Sequence, residues 1–134
     1  MSRARDIHRW LLTLLLVAVA VQFFLAGLGA FKAQHGTEQG TIGDSQFAGY
    51  FSPHQATANV LFIIALLVLI AAVVGKMGKR WIGVSLSVPI LLELQYVFAG
   101  NGPSWFRAIH VVNALVIASI VGKHTDVAWR EAKA

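Results

Sequence analysis

The sequence predicts an all-α integral membrane protein, an up-down bundle of four helices with both termini in the cytoplasm. Of its 134 residues, 57% are hydrophobic and 13% are charged, whereas soluble domains carry about 25% charged residues. No Lys, Arg, Asp or Glu occurs from Trp10 to Phe31 or from Ser45 to Gly75. Each stretch supplies the roughly 20 apolar residues that a helix needs to cross a bilayer.

The first two spans are predicted at about residues 9–31 and 53–74. The first is too long for the apolar region of a cleaved signal peptide, which has about 7–15 residues, so we expect it to remain in the membrane. Ser52 is a suitable N-cap for the second span, and Pro53 suits the first helical position. Residues 32–52, which are polar and rich in glycine, are expected to form a long outer loop.

The third and fourth spans are predicted at about residues 81–99 and 105–121. The run Gly100-Asn101-Gly102-Pro103 between them is a strong turn signal. Ser104 is expected to cap the fourth helix and Gly122 to end it. The four spans make one membrane domain that comprises residues 1–134.

Basic residues set the predicted orientation, because cytoplasmic loops of membrane proteins carry an excess of Lys and Arg. One side of the membrane receives only Lys32 and Arg107. The other side receives nine basic residues: Arg3, Arg5, Arg9, Lys76, Lys79, Arg80, Lys123, Arg130 and Lys133. This asymmetry predicts a multi-pass protein of a bacterial-type cytoplasmic membrane with both termini inside.

Composition and missing motifs exclude several classes of function. The chain has no cysteine, which excludes disulfides, thiolate catalysis, zinc–thiolate sites and iron–sulfur clusters. Its net charge of +5 comes from residues that flank the spans, so nucleic acid is not an expected partner. Hydrolase and phosphate-loop motifs are absent from the sequence. No independent catalytic activity is therefore expected.

Polar side chains recur at one level of the predicted spans. From the outer helix ends, a rise of 1.5 Å per residue places them at depths of roughly 9–13 Å. These residues are Gln22, Asn59, Glu93, His110 and Asn113, and Tyr96 lies beside Glu93 on the third span. Glu93 is the most informative, because a charged carboxylate costs at least about 2.5–3.5 kcal/mol at mid-span. We expect it to be protonated, paired with Arg107 or His110, or directed into a cavity.

Two histidines, His54 and His110, occur on the outer side of the second and fourth spans, which are diagonal in an up-down bundle. A haem b needs two imidazoles that face each other across such a core. Arg107 near the rim suits an anionic propionate, and Asn113 or Asn59 could orient the imidazoles. Haem iron is the metal that this pair is predicted to bind.

With these two histidines, the chain resembles transmembrane four-helix b-type cytochromes, including the half-bundles of haem A synthase. The resemblance covers the four spans and implies an electron carrier or the membrane-anchor subunit of a redox complex. Such cytochromes often hold a second histidine pair near the opposite surface. His8 and His124 occur there but lie beside basic residues outside the apolar spans, so we interpret them as interfacial.

Other functions are compatible with the same residues. The chain could be a non-catalytic accessory subunit of a larger membrane complex or a homo-oligomer, with Asn and Gln side chains joining helices. Alternatively, Glu93, Tyr96 and Gln22 could line a polar pocket for a quinone or lipid. Transport ranks last, because the inner half of the spans has few polar groups. In the predicted outer loop, the spacing of His35, Glu38 and Asp44 matches no metal-ligand motif.

Overall fold

A computed structural model of the chain describes residues 3–100 and 103–133. Four helices make up this part of the chain: α1 (Arg3–Glu38), α2 (Asp44–Val74), α3 (Lys79–Ala99) and α4 (Ser104–Glu131). No strand occurs among the described residues. Each helix is long and apolar enough to cross a bilayer. The protein is therefore a multi-pass helical membrane protein, as the sequence predicts.

The segment predicted as an outer loop, residues 32–52, is mostly helical. α1 extends to Glu38 and α2 begins at Asp44, so the connection contains only residues 39–43. Asp44 places a negative charge in the first turn of α2, where it interacts favourably with the positive end of the helix dipole. A polar, glycine-rich composition is compatible with an exposed helix as well as with a loop, and this segment forms helix.

The predicted start of the second span was consequently wrong. Ser52 does not cap a helix, and Pro53 lies inside α2. Because proline has no backbone N–H, the helix loses one hydrogen bond there. His54 follows Pro53 and lies in the interior of α2, not in its first turn. Depths counted from a helix start at residue 53 therefore do not apply to His54.

The ends of α4 also differ from the prediction. Pro103 takes the N-cap position and Ser104 is the first helical residue, while the helix continues through Gly122 to Glu131. A glycine inside a helix costs about 1 kcal/mol relative to alanine. Val121 and Thr125 on either side of Gly122 are both buried, so packing of this part of α4 compensates for the cost.

The described chain forms two compact units. The larger comprises residues 3–16, 62–100 and 103–133, and the smaller comprises residues 17–61. The buried apolar side chains of the larger unit come from all four helices: Leu12, Leu15, Ile64, Ala65, Val68, Ala72, Val88, Leu92, Ile117 and Val121. Within it, the Thr125 hydroxyl donates to the carbonyl oxygen of Val121 at 2.8 Å. The same hydroxyl lies 3.3 Å from the carbonyl oxygen of Leu12, where α4 contacts α1.

Close approach of the two helices in the smaller unit depends on glycines. A Cβ atom added at Gly29 would lie 2.8 Å from Cδ1 of Phe51, and one added at Gly36 would lie 3.1 Å from the hydroxyl oxygen of Tyr50. Small residues permit such close contacts between membrane helices. In this way α1 and the first part of α2 come together around Gln22 and His54.

The connection between α2 and α3 brings α3 close to the beginning of α1. Gly78 has a φ of 87° and Lys76 a φ of 47°, backbone conformations that favour glycine. A Cβ atom at Gly75 would lie 2.9 Å from the Cβ of Ala4. This turn packs tightly on the first turns of α1, next to the pocket described below.

Candidate functional site

Gln22 and His54 form a polar contact between α1 and α2 in the smaller unit. Gln22 donates its side-chain amide to the carbonyl oxygen of His54 at 3.0 Å, and the same nitrogen lies 3.4 Å from Nε2 of His54. Nδ1 of His54 lies 3.2 Å from the carbonyl oxygen of Gln22. A carbonyl can only accept, so the imidazole proton is on Nδ1 and Nε2 carries the lone pair.

A second polar contact joins α3 to α4 in the larger unit. Asn113 donates through Nδ2 to Oε1 of Gln95 and to the carbonyl oxygen of Leu91, both at 2.8 Å. Nδ1 of His110 lies 3.1 Å from the carbonyl oxygen of Gln95, which again places the proton on Nδ1. His110 and Asn113 are therefore brought together, as expected from their spacing. The centre of the contact is Gln95, which was not among the predicted site residues.

Glu93 lies on the exposed face of α3. It occupies the same stripe as Leu86, Ile90 and Val97, whose exposed fractions are 45%, 52% and 57%, and it is itself exposed. Tyr96, one turn further along, is 42% exposed. The two groups predicted to line a polar pocket therefore face outward.

The remaining predicted site residues occupy separate places. Asn59 on α2 and Arg107 on α4 are both exposed. Gln22 belongs to the smaller unit and contacts His54, whereas Glu93 and Tyr96 belong to the larger unit. In the described residues, no group of three or more His, Cys, Asp or Glu side chains has the arrangement of a metal site.

A third polar cluster lies where α1 begins, and sequence analysis did not select it as a site. His8 is 1% exposed, and its Nε2 lies 3.2 Å from Oγ of Ser85. The ring of Trp81 lies between two histidines, with centroid distances of 5.4 Å to His8 and 5.6 Å to His124. The sequence predicts an interfacial position for His8 but did not predict its burial.

Both histidines of this cluster occur outside the apolar stretches that cross the membrane. Burial, together with the nearby His124, lowers the pKa of His8 from its usual 6.5 to about 4. Burial also lowers the pKa of His124, with smaller contributions from the positive charges of Arg80 and Lys123. Both imidazoles are therefore neutral at pH 7.

Next to His8 the chain encloses a pocket of about 120 Å³. The residues that line it are Arg5, His8, Arg9, Met77, Trp81, Ala128, Glu131 and Ala132. Two lining residues carry buried nitrogens that have no hydrogen-bond partner among the described residues, Nδ1 of His8 and Nε of Arg9. Such groups are rare in folded proteins, and each calls for an explanation.

A pattern in the sequence indicates this burial in retrospect. His8 precedes Leu12 by four residues and Leu15 by seven, and both leucines are buried. Residues at this spacing share one face of a helix. The apolar face of α1 thus begins two residues before the uncharged stretch that starts at Trp10.

The fold and its polar clusters define a helical membrane protein with polar contacts between its helices and a basic pocket at the ends of its helices. Residues 22–103 match the model of a family of unknown function, DUF6220. This segment is more than half of the chain, and the protein belongs to that family. It includes Gln22, His54 and Glu93 and ends before His110 and Asn113. No curated protein and no solved structure matches the chain.

Proposed function

We propose that this protein is a non-catalytic subunit of a larger integral membrane assembly. In this proposal it resides in the cytoplasmic membrane with both termini in the cytoplasm, and the outward face of α3 around Glu93 contacts its partner. The observation that supports the proposal is the exposure of Glu93 in an otherwise apolar stripe.

The energetic argument starts from the position of Glu93 along its helix. α3 has 21 residues, a length of about 31 Å that matches the hydrocarbon thickness. Glu93 precedes the last residue of the helix, Ala99, by six residues, roughly 9 Å along the axis. A carboxyl group on the lipid-facing surface at that depth has no water to solvate it. A partner that supplies a hydrogen-bond donor or a positive charge removes this cost.

The neighbours of Glu93 suit contact with another helix. Leu86, Ile90 and Val97 provide apolar surface above and below the carboxyl group, and Tyr96 adds an aromatic side chain one turn away. In lipid, interhelical hydrogen bonds and close packing drive the association of helices, because the hydrophobic effect between helices is weak there. The partner that fits is a transmembrane helix with a Lys, Arg, Asn or Gln side chain at the depth of Glu93.

The test is site-specific photo-crosslinking of the full chain in its native membrane. A photoreactive residue replaces Ile90 on the stripe or, as a matched control, Val112 on the exposed face of α4. We expect a discrete crosslinked product from position 90 and none from position 112. Glu93→Leu, which removes the carboxyl group, is expected to abolish the product, while Glu93→Gln, which keeps a polar side chain, is expected to retain part of it.

The mass of the product identifies the partner. A heterologous transmembrane protein supports the proposal, whereas a product of twice the mass of this chain indicates a homo-oligomer. Equal crosslinking from positions 90 and 112, or an unchanged product in Glu93→Leu, contradicts the proposal.

A second candidate function is haem b binding with electron transfer, and the tautomers of two histidines favour it. His110 and His54 each direct Nδ1 to a backbone carbonyl oxygen, which leaves the lone pair on Nε2. Histidines that bind metals through Nε2 commonly donate their other ring N–H in this way. Both residues thus have the tautomer that haem iron requires. His54 would have to exchange its contact with the Gln22 amide for iron.

The haem proposal is tested with visible spectra of the purified protein, oxidised and dithionite-reduced, after expression with ample haem. A reduced α-band that is lost in His110→Ala but retained in His35→Ala supports it. His35 is an exposed histidine of α1 and serves as the matched control. A protein without a haem spectrum contradicts this proposal and leaves the subunit proposal unaffected.

A further inference from the structure

The pocket beside His8 is the feature that neither proposed function uses. It lies where α1 begins and α4 ends, next to the turn between α2 and α3, and its lining residues belong to the larger unit. Its position outside the apolar stretches corresponds to the headgroup region of a bilayer. We propose that this pocket is a binding site for a phosphate group, carried by an anionic lipid headgroup or by free phosphate.

The charges around the pocket favour an anion. Arg5 and Arg9 line it, and one carboxylate, Glu131, stands against them. Arg9 is held in place by Asp6, with 3.0 Å between Nη2 and Oδ1, and by the Trp129 ring, whose centroid is 4.4 Å from its guanidinium carbon. Guanidinium groups bind phosphate through charge-assisted hydrogen bonds. Arg5, which is exposed, can adjust to the bound group.

His8 offers a further donor in one of its two neutral tautomers. When the ring proton is on Nδ1, Nε2 accepts from the Ser85 hydroxyl, whose oxygen lies 3.2 Å away. That N–H has no partner in the described residues, although His8 is 1% exposed. The Nε–H of Arg9 is likewise buried and unpartnered. Because both nitrogens are buried, a small shift of the side chains brings them to a phosphate oxygen, which satisfies groups that are costly to leave without a hydrogen bond.

The size of the pocket agrees with a small anion. Its volume of about 120 Å³ is several times what one buried water needs, so the pocket has room for a phosphate group. Basic pockets between transmembrane helices at the cytoplasmic surface are a known means of binding anionic lipid headgroups.

The experiment uses the full chain with two probes. In one arm, inorganic phosphate is titrated into delipidated protein in detergent, and the shift of the thermal transition reports binding. In the other arm, retention of phosphatidylglycerol in comparison with phosphatidylcholine is measured by native mass spectrometry. Saturable phosphate binding identifies the free anion as a ligand. Preferential retention of phosphatidylglycerol without phosphate binding identifies the lipid headgroup.

Three variants test whether the bound group occupies this pocket. Arg5→Gln is expected to weaken binding at least about tenfold, as expected for the loss of one charged hydrogen bond. Glu131→Gln is expected to strengthen binding, because it removes the one carboxylate in the lining. Arg3→Gln is the matched control: it removes a positive charge from the same turn of α1 at a residue outside the lining, and binding should be retained.

The proposal is overturned if neither probe binds saturably. It is also overturned if Arg3→Gln and Arg5→Gln weaken binding equally, because the phosphate group is then attracted by the basic surface as a whole and not bound in the pocket. His8→Phe keeps an aromatic ring against Trp81 but removes the donor, and it is expected to weaken binding. Circular dichroism of each variant establishes that it is folded.

Discussion

Trp129 donates its indole N–H to the hydroxyl oxygen of Thr13, with 3.0 Å between the two atoms. The two residues are 116 positions apart in the sequence. The same indole lies at a right angle to the ring of Trp10, with 5.0 Å between centroids, and beneath the guanidinium of Arg9. A hydrogen bond, an aromatic contact and a cation–π contact thus join the last helix to the first.

Trp129→Phe is expected to lower the free energy of unfolding by about 1 kcal/mol. The variant removes the N–H donor but keeps an aromatic ring, so the loss reports mainly the hydrogen bond to Thr13. Trp105→Phe is the matched control, because Trp105 is 67% exposed. Thermal unfolding of both variants in mild detergent measures the difference, and equal stability of the two would contradict the assignment.

Asn113 and Gln95 are expected to show coupled effects on stability. Replacing either residue by Leu leaves the other without its 2.8 Å hydrogen bond, and membrane double-mutant cycles give up to about 1.7 kcal/mol for such pairs. The double variant should therefore lose less stability than the two single variants added together. Additive losses would show that this hydrogen bond contributes nothing to the contact between α3 and α4.

Two glycines of α1 are expected to respond differently to alanine. Gly29→Ala should destabilise the protein, because the new Cβ would lie 2.8 Å from the Phe51 ring and 3.1 Å from the carbonyl oxygen of Tyr50. Gly27→Ala has no atom within 4 Å of its Cβ and should be neutral or stabilising, since alanine favours helix. Thermal unfolding of the Gly29→Ala and Gly27→Ala variants measures the difference in stability. A Gly29→Ala variant more stable than Gly27→Ala would refute the close approach of α1 and α2.

Stability is expected to fall in acid as a result of the burial of His8. Its pKa is about 4 in the folded protein and 6.5 for an ordinary histidine. Between these values the unfolded chain binds a proton that the folded chain does not, so the free energy of unfolding decreases as the pH falls from 6.5 to 4. Above about pH 7 this contribution is constant.

His8→Phe should flatten that part of the stability profile. A residual slope remains, because the lowered pKa of His124 acts in the same direction. Unfolding midpoints at intervals between pH 4 and pH 7.5 provide the measurement, with His35→Phe at an exposed position as the control. An identical slope in His8→Phe and the parent protein would rule out His8 as the source.

The helical structure of the chain and three of its helix boundaries can be predicted from the amino-acid sequence alone. Lipid cannot satisfy backbone N–H and C=O groups, so a long apolar stretch crosses a membrane as a helix whatever its side chains are. The end of α2 at Val74, that of α3 at Ala99 and the start of α4 near Ser104 follow from glycine and proline signals. The polar segment 32–52 was misassigned because solvent-exposed helix and loop share the same composition.

Tertiary structure decided which way each polar residue faces. Glu93 is exposed and Gln95 accepts from Asn113, and neither follows from hydropathy. In the spans almost every face is apolar, so the sequence carries little signal for the rotation of a helix about its axis. That rotation is set by packing, by the glycines that let helices approach and by the hydrogen bonds that polar side chains find on their neighbours.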